Sequence, residues 1–363
     1  MTLRNIVSLY MVRALYVCAL LAAIYGFLMS SHIANYFIEE RSICLYIWAE
    51  KIDESILQQF EQETGIKVYV KYYESNEELL TKLMIAPQAD CDVMLPTGYI
   101  IPALIQANLL KPIDKSKCNF IDRLYPEMMN HYYDPRNEYS LPLYWDIQGF
   151  GYDKTYFPNG IDASWRTVFN KDYVPCKEIL MVDDSRESVC TSMIYFGWTQ
   201  KTSLTDAEVE QIKNLFITQK QWVGAYTDFQ QGYYLQSKAY PLAVSQREYI
   251  VREMMDNPNI GFVLPKEGTF LTIDTMVICK ASKKDDLVYE FLNFLYRHDV
   301  SLENVKICGN LSAIKDVLDD TPQEIIGMQD IKPGEKLFKI CKNFENILTQ
   351  EQMNDLWISF KAS

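Results

Sequence analysis

The chain has 363 residues, 48% apolar and 23% charged, a balance that suits a folded protein with more than one core. Its 35 Lys+Arg stand against 48 Asp+Glu. That acidic balance argues against a nucleic-acid partner, because phosphate binding needs a basic face, and it is compatible with a cationic ligand without requiring one.

The amino terminus differs from the rest. Arg4 and Arg13 precede an apolar run over residues 14–31, "ALYVCALLAAIYGFLMSS", and the next formal charge is Glu39. A signal-peptide core runs about 7–15 residues and a membrane span about 17–25. No convincing small-x-small cleavage site follows the run, which favours an uncleaved anchor over a cleaved signal, with the basic side kept in the cytoplasm. In both cases the remainder is exported. Of the nine cysteines, Cys18 lies in the run and the others follow it without C-x-x-C spacing. Disulfides and buried free thiols are both open in an oxidising compartment.

After Arg41, strand and helix patterns alternate. Residues 43–48 read as an apolar strand. Asp53 caps a helix that Gly65 stops, and residues 66–72 alternate with period two. Ser75 and Glu78 suggest a capping box for a helix over 76–85, and residues 92–95 form a third strand. A second unit starts near Gly149, with strands at 178–182, 222–226, 241–245 and 260–264. Helices near 185–198, 206–217 and 247–255 lie between them. A strand at 271–279 and a helix at 285–297 read as a return to the first unit, and the carboxyl end is helical. This order implies an α/β fold with mostly parallel sheets and a cleft between two lobes. The histidines, His32, His131 and His298, are scattered without ligand spacing, so no metal site is expected. No G-x-S-x-G, P-loop or H-E-x-x-H motif is present, and no catalytic residue or cofactor is expected.

Several blocks carry a likeness in order and spacing. They are "WAE" at 48–50, "FEQETGIKV" at 60–68, "YESNEELLTKL" at 73–83, "CDVMLPTGY" at 91–99, "LKPIDKSK" at 110–117, "YSLPLYWDIQGFGYDK", "VDDSRES" and "LPKEGTFLTIDT". Together they resemble the periplasmic spermidine/putrescine-binding proteins of ABC transporters. The resemblance implies a two-lobe periplasmic-binding-protein fold of type II. Residues 42–147 plus 272–315 would form lobe 1, residues 148–271 plus 316–363 lobe 2, and residues 1–41 the signal or anchor segment. Crossovers are expected near 145–149 and 264–273. It further implies a monomer that is not an enzyme and that captures putrescine or spermidine for an inner-membrane ABC permease. An anchored sensor on the same fold, or ferric-ion binding through the tyrosine pairs Tyr132–Tyr133 and Tyr233–Tyr234, are the alternatives.

Residue by residue, the resemblance places ligand contacts at Trp48, Glu50, Thr97, Tyr99, Asp184, Glu187 and Asp274. Carboxylates hold ammonium groups and rings shield the methylenes, adding cation–π attraction of about 0.5–2 kcal/mol per contact. The residues also have plainer readings. Asp184 and Glu187 suit a helix start, and Trp48 suits a core. Asp274, inside the apolar strand "FLTIDTMVIC", is costly there unless paired. Where the resemblance places further rings, this chain has Lys51, Val244, Thr272 and Asn310. Trp145, Tyr226, Phe229 and Phe270 are candidates to refill the walls. Lys51 would either bring a positive charge among the carboxylates, standing in for one ligand ammonium, or turn its long stem outward to water.

Overall fold

The computed structural model describes residues 41–86, 90–327, 337, 340–343 and 347–363, with residues 16, 19, 20, 24 and 25 of the amino-terminal segment. The apolar run over residues 14–31, and with it the expected anchor, lies largely outside the described residues. Among those described, no helix is long and apolar enough to cross a membrane.

β1 (Ser42–Ile47), α1 (Glu54–Thr64), β2 (Lys67–Tyr72), α2 (Asn76–Ile85) and β3 (Val93–Met94) follow in the expected order. β1 pairs in parallel with both β2 and β3. The Asp53 carboxylate accepts the Ser55 N–H to open α1, and Gly65 closes it with a φ of 69°. Ser75 caps α2 by accepting the Glu78 N–H. The Glu78 carboxylate, however, reaches the Glu74 amide rather than that of Ser75, so the capping box is half made.

Beyond β4 (Leu110–Lys111) comes the long strand β5 (Ser140–Asp153), buried along nearly its whole length. The second half of the molecule holds β6 (Ile179–Val182), β7 (Val223–Thr227), β8 (Leu242–Gln246) and β9 (Ile260–Val263). α3 (Ser185–Tyr195), α4 (Asp206–Gln219) and α5 (Arg247–Asp256) connect them. β10 (Thr269–Cys279), α6 (Asp285–Leu295) and α7 (His298–Cys308) return to the first half, and α8 (Gln350–Ala362) ends the chain.

The strands run in the order β2-β1-β3-β10-β5-β8-β6-β7. β5 serves both halves. Up to Ile147 it pairs antiparallel with β10, and from Gln148 it pairs with β8 and then β9. The changeover from lobe to lobe therefore falls at Ile147–Gln148, on one continuous strand. Each half of the sheet has apolar packing on both faces. Phe60, Phe291 and Phe294 cluster on one face of the first half, and Leu79, Leu104 and Val277 cover the other. Phe150, Trp165, Phe216, Trp222 and Phe360 fill the main core of the second half, opposite Leu180, Leu235 and Ile250. Such double cover explains why the central strands read as continuous apolar runs.

One expectation about the lobes is corrected. Residues 316–326 pack with the first core, through Val317, Leu318, Ile325 and Ile326, while α8 joins the second through Met353, Leu356 and Phe360. The first part of this segment packs on α7 and residues 323–326 pack on α5, a helix of the second half, so the segment sits where the two halves meet.

Among the cysteines, Cys91 and Cys279 form a disulfide with a Cα–Cα distance of 6.0 Å, tying the approach to β3 to the end of β10. Cys44, Cys118, Cys176, Cys308 and Cys341 are free thiols.

A buried polar node fixes the changeover. Asp146 accepts from Arg247 Nε at 3.1 Å, from the Glu248 N–H at 2.7 Å and from the Ile147 N–H at 2.8 Å. The Arg247 guanidinium, fully buried, also donates to the carbonyls of Ile325 and Gly309. Burial pushes the Asp146 carboxyl up to about 6 against the pull of Arg247. Five hydrogen bonds satisfy the pair here, which is what makes a buried charge pair tolerable.

Candidate functional site

A cavity of about 130 Å³ opens between the lobes, lined among others by Trp48, Lys51, Thr97, Tyr99, Asp184, Glu187, Asp228 and Asp274. A larger cavity, about 480 Å³, is lined by Glu127, His131, Cys190, Phe270 and Cys341.

Local structure explains how each cleft residue arrives. β1 ends with Trp48, whose ring lies 4.7 Å from that of Tyr73. Glu50 then takes a left-handed φ of 63°, uncommon for a residue with a side chain. The chain turns there, so the Glu50 carboxylate goes to the surface and pairs with Arg252, and Lys51 goes inward. Glu50 is therefore not among the residues that line the cleft. Tyr99 follows Gly98, where a Cβ would lie 2.4 Å from the Tyr133 ring, so only glycine lets this turn sit so close.

Asp274 sits where the β10–β5 register slips between Asp274 and Thr275, and it bridges to Thr97 on the segment after β3. A bulge of this kind re-aims a strand side chain. The Thr97 hydroxyl donates to Asp274 Oδ1 at 2.9 Å. Lys51 Nζ lies 2.9 Å from Asp274 Oδ2 and 2.7 Å from Glu248 Oε1, with all three residues buried. Burial alone would lower the Lys51 ammonium, but Asp274 and Glu248 overcome it and hold it well above the usual lysine value. Burial would raise Glu248, and Lys51 brings it below the usual range.

The opposite wall is the start of α3. Asp184 caps the helix by accepting the Glu187 N–H at 2.7 Å. Glu187 does not complete a capping box. Its oxygens accept instead from the side-chain amides of Gln148 at 2.5 Å and Gln246 at 2.6 Å. Both carboxylates thus sit at a helix N-terminus that favours anions, yet desolvation dominates. Burial and the neighbouring Asp184 push Glu187 well above the usual range, and burial raises Asp184 against its bonds to the Glu187 and Arg186 amides. Asp228 lies at the mouth of the cleft, open to solvent on one side. Its carboxyl is pushed up to about 7 by burial and by Asp184 and Asp183. Gln231, almost wholly buried, also lines this end, and its Oε1 has no hydrogen-bond partner.

Arg186 spans the gap between the lobes. It pairs with Glu77 at 3.3 Å, lies 4.3 Å over the Tyr99 ring and donates to Gln350 at 2.9 Å. The Tyr99 hydroxyl donates to the same Glu77 at 3.2 Å.

Of the residues singled out in the sequence, the structure brings together Trp48, Lys51, Thr97, Tyr99, Asp184, Glu187, Thr272 and Asp274. Val244 is fully buried in the second core, and Asn310 is buried with its amide donating to the Lys51 carbonyl. Of the candidate replacement rings, Phe229 lines the cleft, 5.6 Å from Tyr249, which lines it as well. Trp145 is core, Tyr226 packs on Trp357 and Phe360, and Phe270 lines the larger cavity. The rings at the cleft are thus Trp48, Tyr99, Phe229 and Tyr249, two of them from positions outside the implied set. Sequence reading missed Glu248, Asp228, Gln231, Gln246 and Tyr249. Glu248 and Tyr249 directly follow a strand that points at the cleft, and that was the signal available. The tyrosine pairs Tyr132–Tyr133 and Tyr233–Tyr234 each split into a covered and an exposed ring and stay outside the cleft.

Comparisons with known proteins bear on the family and the fold. Residues 55–328 match the family described as bacterial extracellular solute-binding protein. A spermidine/putrescine-binding periplasmic protein of Salmonella typhimurium is 29% identical over 282 residues, 76% of this chain and 79% of that one. A putrescine-binding periplasmic protein of Escherichia coli is 27% identical over 291 residues, 76% and 78% of the two chains. The solved structure of a putative spermidine/putrescine ABC transporter protein from Listeria monocytogenes superposes with a TM-score of 0.79 at 27% identity, covering 88% of this chain and 99% of that one. The fold is the type II periplasmic-binding-protein fold shared with these neighbours.

Proposed function

Because this chain belongs to the bacterial extracellular solute-binding proteins, we propose that it captures a small aliphatic polyamine, putrescine or spermidine, between its lobes and delivers it to an ABC permease of the inner membrane. The observation that carries this reading is the convergence of Asp184, Glu187, Asp228 and Asp274 with the rings of Trp48, Tyr99, Phe229 and Tyr249 in one interlobe cleft. Asp184, Glu187 and Asp228, whose ionisation is opposed by burial and by neighbouring carboxylates, gain most from a cation with several donors. Rings beside them cover an alkyl stem without competing for its hydrogen bonds.

In this reading the protein works in the periplasm as a monomer, held at the inner membrane by its uncleaved segment 1–41. It performs no reaction on its ligand. Lobe closure is hinge-like about Ile147–Gln148. The relatives' printed names support the polyamine class. The test is calorimetry with putrescine, spermidine and 1,4-butanediol, which keeps the diamine's length and loses its charge. Saturable binding of an amine with none of the diol is the expected result. Equal binding of the diol, or binding of neither amine, would overturn the reading.

A further inference from the structure

The two ends of the cleft are not equivalent. At one end the Asp274 carboxylate already has both oxygens engaged by this chain, Oδ1 by the Thr97 hydroxyl and Oδ2 by the Lys51 ammonium. The same ammonium reaches Glu248 from the first turn of α5. Two buried carboxylates, one from β10 and one from α5, therefore meet around one cation that is covalently part of the protein. Lys51 Nζ sits between two carboxylates at hydrogen-bond distance, as the end of a bound aliphatic amine would.

At the other end, no ion pair holds Glu187, Asp184 or Asp228 among the described residues. Glu187 accepts only from the two glutamine amides, and the buried Gln231 Oε1, an acceptor suited to an ammonium N–H, is unpartnered. That oxygen is an observation independent of the carboxylates, since an amide acceptor buried without a donor is unfavourable unless a ligand supplies one.

We propose that Lys51 is a tethered occupant of one of two ammonium subsites in the cleft. The remaining subsite, formed by Asp184, Glu187, Asp228 and Gln231, then selects a short diamine over a longer triamine. The inference rests on the polyamine reading above. The chemistry is one of counting charges. A site whose Asp274–Glu248 end has its cation built in needs one fewer ammonium from the ligand. A third ligand ammonium directed at that end meets Lys51 and loses the attraction it would otherwise gain. Lys51 is thereby a specificity-determining residue rather than a wall.

Two measurements test this. Calorimetry with putrescine and spermidine on the wild type, on Lys51→Met, and on Lys51→Met with Glu248→Gln compares affinity ratios. The double variant removes one acid with the base, which spares the fold a second unpaired buried charge. The wild type is expected to favour putrescine, and both variants to shift the ratio toward spermidine by about tenfold or more, the equivalent of about 1.4 kcal/mol. Second, Lys51→Ala is melted with and without n-propylamine, the fragment deleted by that change. Propylamine is expected to raise the melting temperature of Lys51→Ala and to leave that of the wild type unmoved. An unchanged ratio together with no rescue would overturn the assignment. Rescue by propylamine with no polyamine bound by any form would uphold the Lys51 subsite and retire the polyamine reading instead.

Discussion

Glu187 and Thr97 both touch the cleft, and they differ in what their loss leaves behind. Glu187 is a buried carboxylate held by two amide donors. Glu187→Gln keeps the shape and removes the charge, which should weaken amine binding by about 2–5 kcal/mol. Thr97→Ala removes one neutral donor to Asp274 and should cost nearer 0.5–1.5 kcal/mol, about one order of magnitude in Kd at most. Calorimetry on the two variants checks the order, and equal losses would mean that Glu187 is there for the fold.

Asp228 gives a pH dependence. Its folded value, about 7, lies above its ordinary 3.8. Between these the folded chain holds the extra proton, so this group favours the ligand-free fold in acid, and the contribution is lost as pH rises through about 7. An ammonium ligand needs the ionised form. Amine affinity should therefore rise between about pH 6 and 8 with release of a proton, measurable by titration in buffers of different ionisation heat. Proton uptake would contradict the placement.

Asp274 was legible in the sequence because a carboxylate on an apolar strand is unusual, whereas Asp184 and Glu187, ordinary at a helix start, were singled out by the resemblance alone. Glu248 was not. It reads as an ordinary acid in the first turn of an amphipathic helix, and only the inward turn of Lys51, set by the backbone at Glu50, gives it a buried partner.

At the scale of elements, the changeover on β5 depends on α5 being docked by its first residue. Arg247 joins Asp146 to the carbonyls of Ile325 and Gly309, so one side chain ties β5, α5 and the segments after α6 together. Arg247→Met would leave Asp146 buried without its charge partner and should destabilise by about 3–5 kcal/mol. Urea unfolding measures this, and a loss under about 1 kcal/mol would mean that the node relaxes onto other donors. Most of the strands and helices from Ser42 to α6 were readable from period, caps and glycines, because those signals are local, but β5, the strand that carries the changeover, was not. The packing of residues 316–326 was not, since a short apolar stripe says that a face is needed and not which one. The aromatic wall behaves likewise. Ring positions moved to Phe229 and Tyr249, on a loop and a helix, where no strand alternation marks them.

At the scale of the molecule, the Cys91–Cys279 disulfide closes a loop of 188 residues, long enough that its opening should cost about 2–5 kcal/mol. A reductant should accordingly lower the melting temperature of the wild type and have little effect on a Cys91→Ser, Cys279→Ser double variant. Two lobes and a cleft between them were implied by the alternation of elements and by the resemblance, and the one continuous strand that the lobes share was not. What sequence order does not encode is how completely the chain's own charges meet across the gap. Lys51 with Glu248 and Arg186 with Glu77 and Tyr99 already span it. The most direct measurement is thermal unfolding of the full chain with putrescine, spermidine and 1,4-butanediol in parallel. At a hundred times its Kd an amine should stabilise the protein by about 2.7 kcal/mol and raise the melting temperature by several degrees, while the diol leaves it unchanged. No rise with either amine, or the same rise with the diol, would show that the acidic cleft does not bind polyamines.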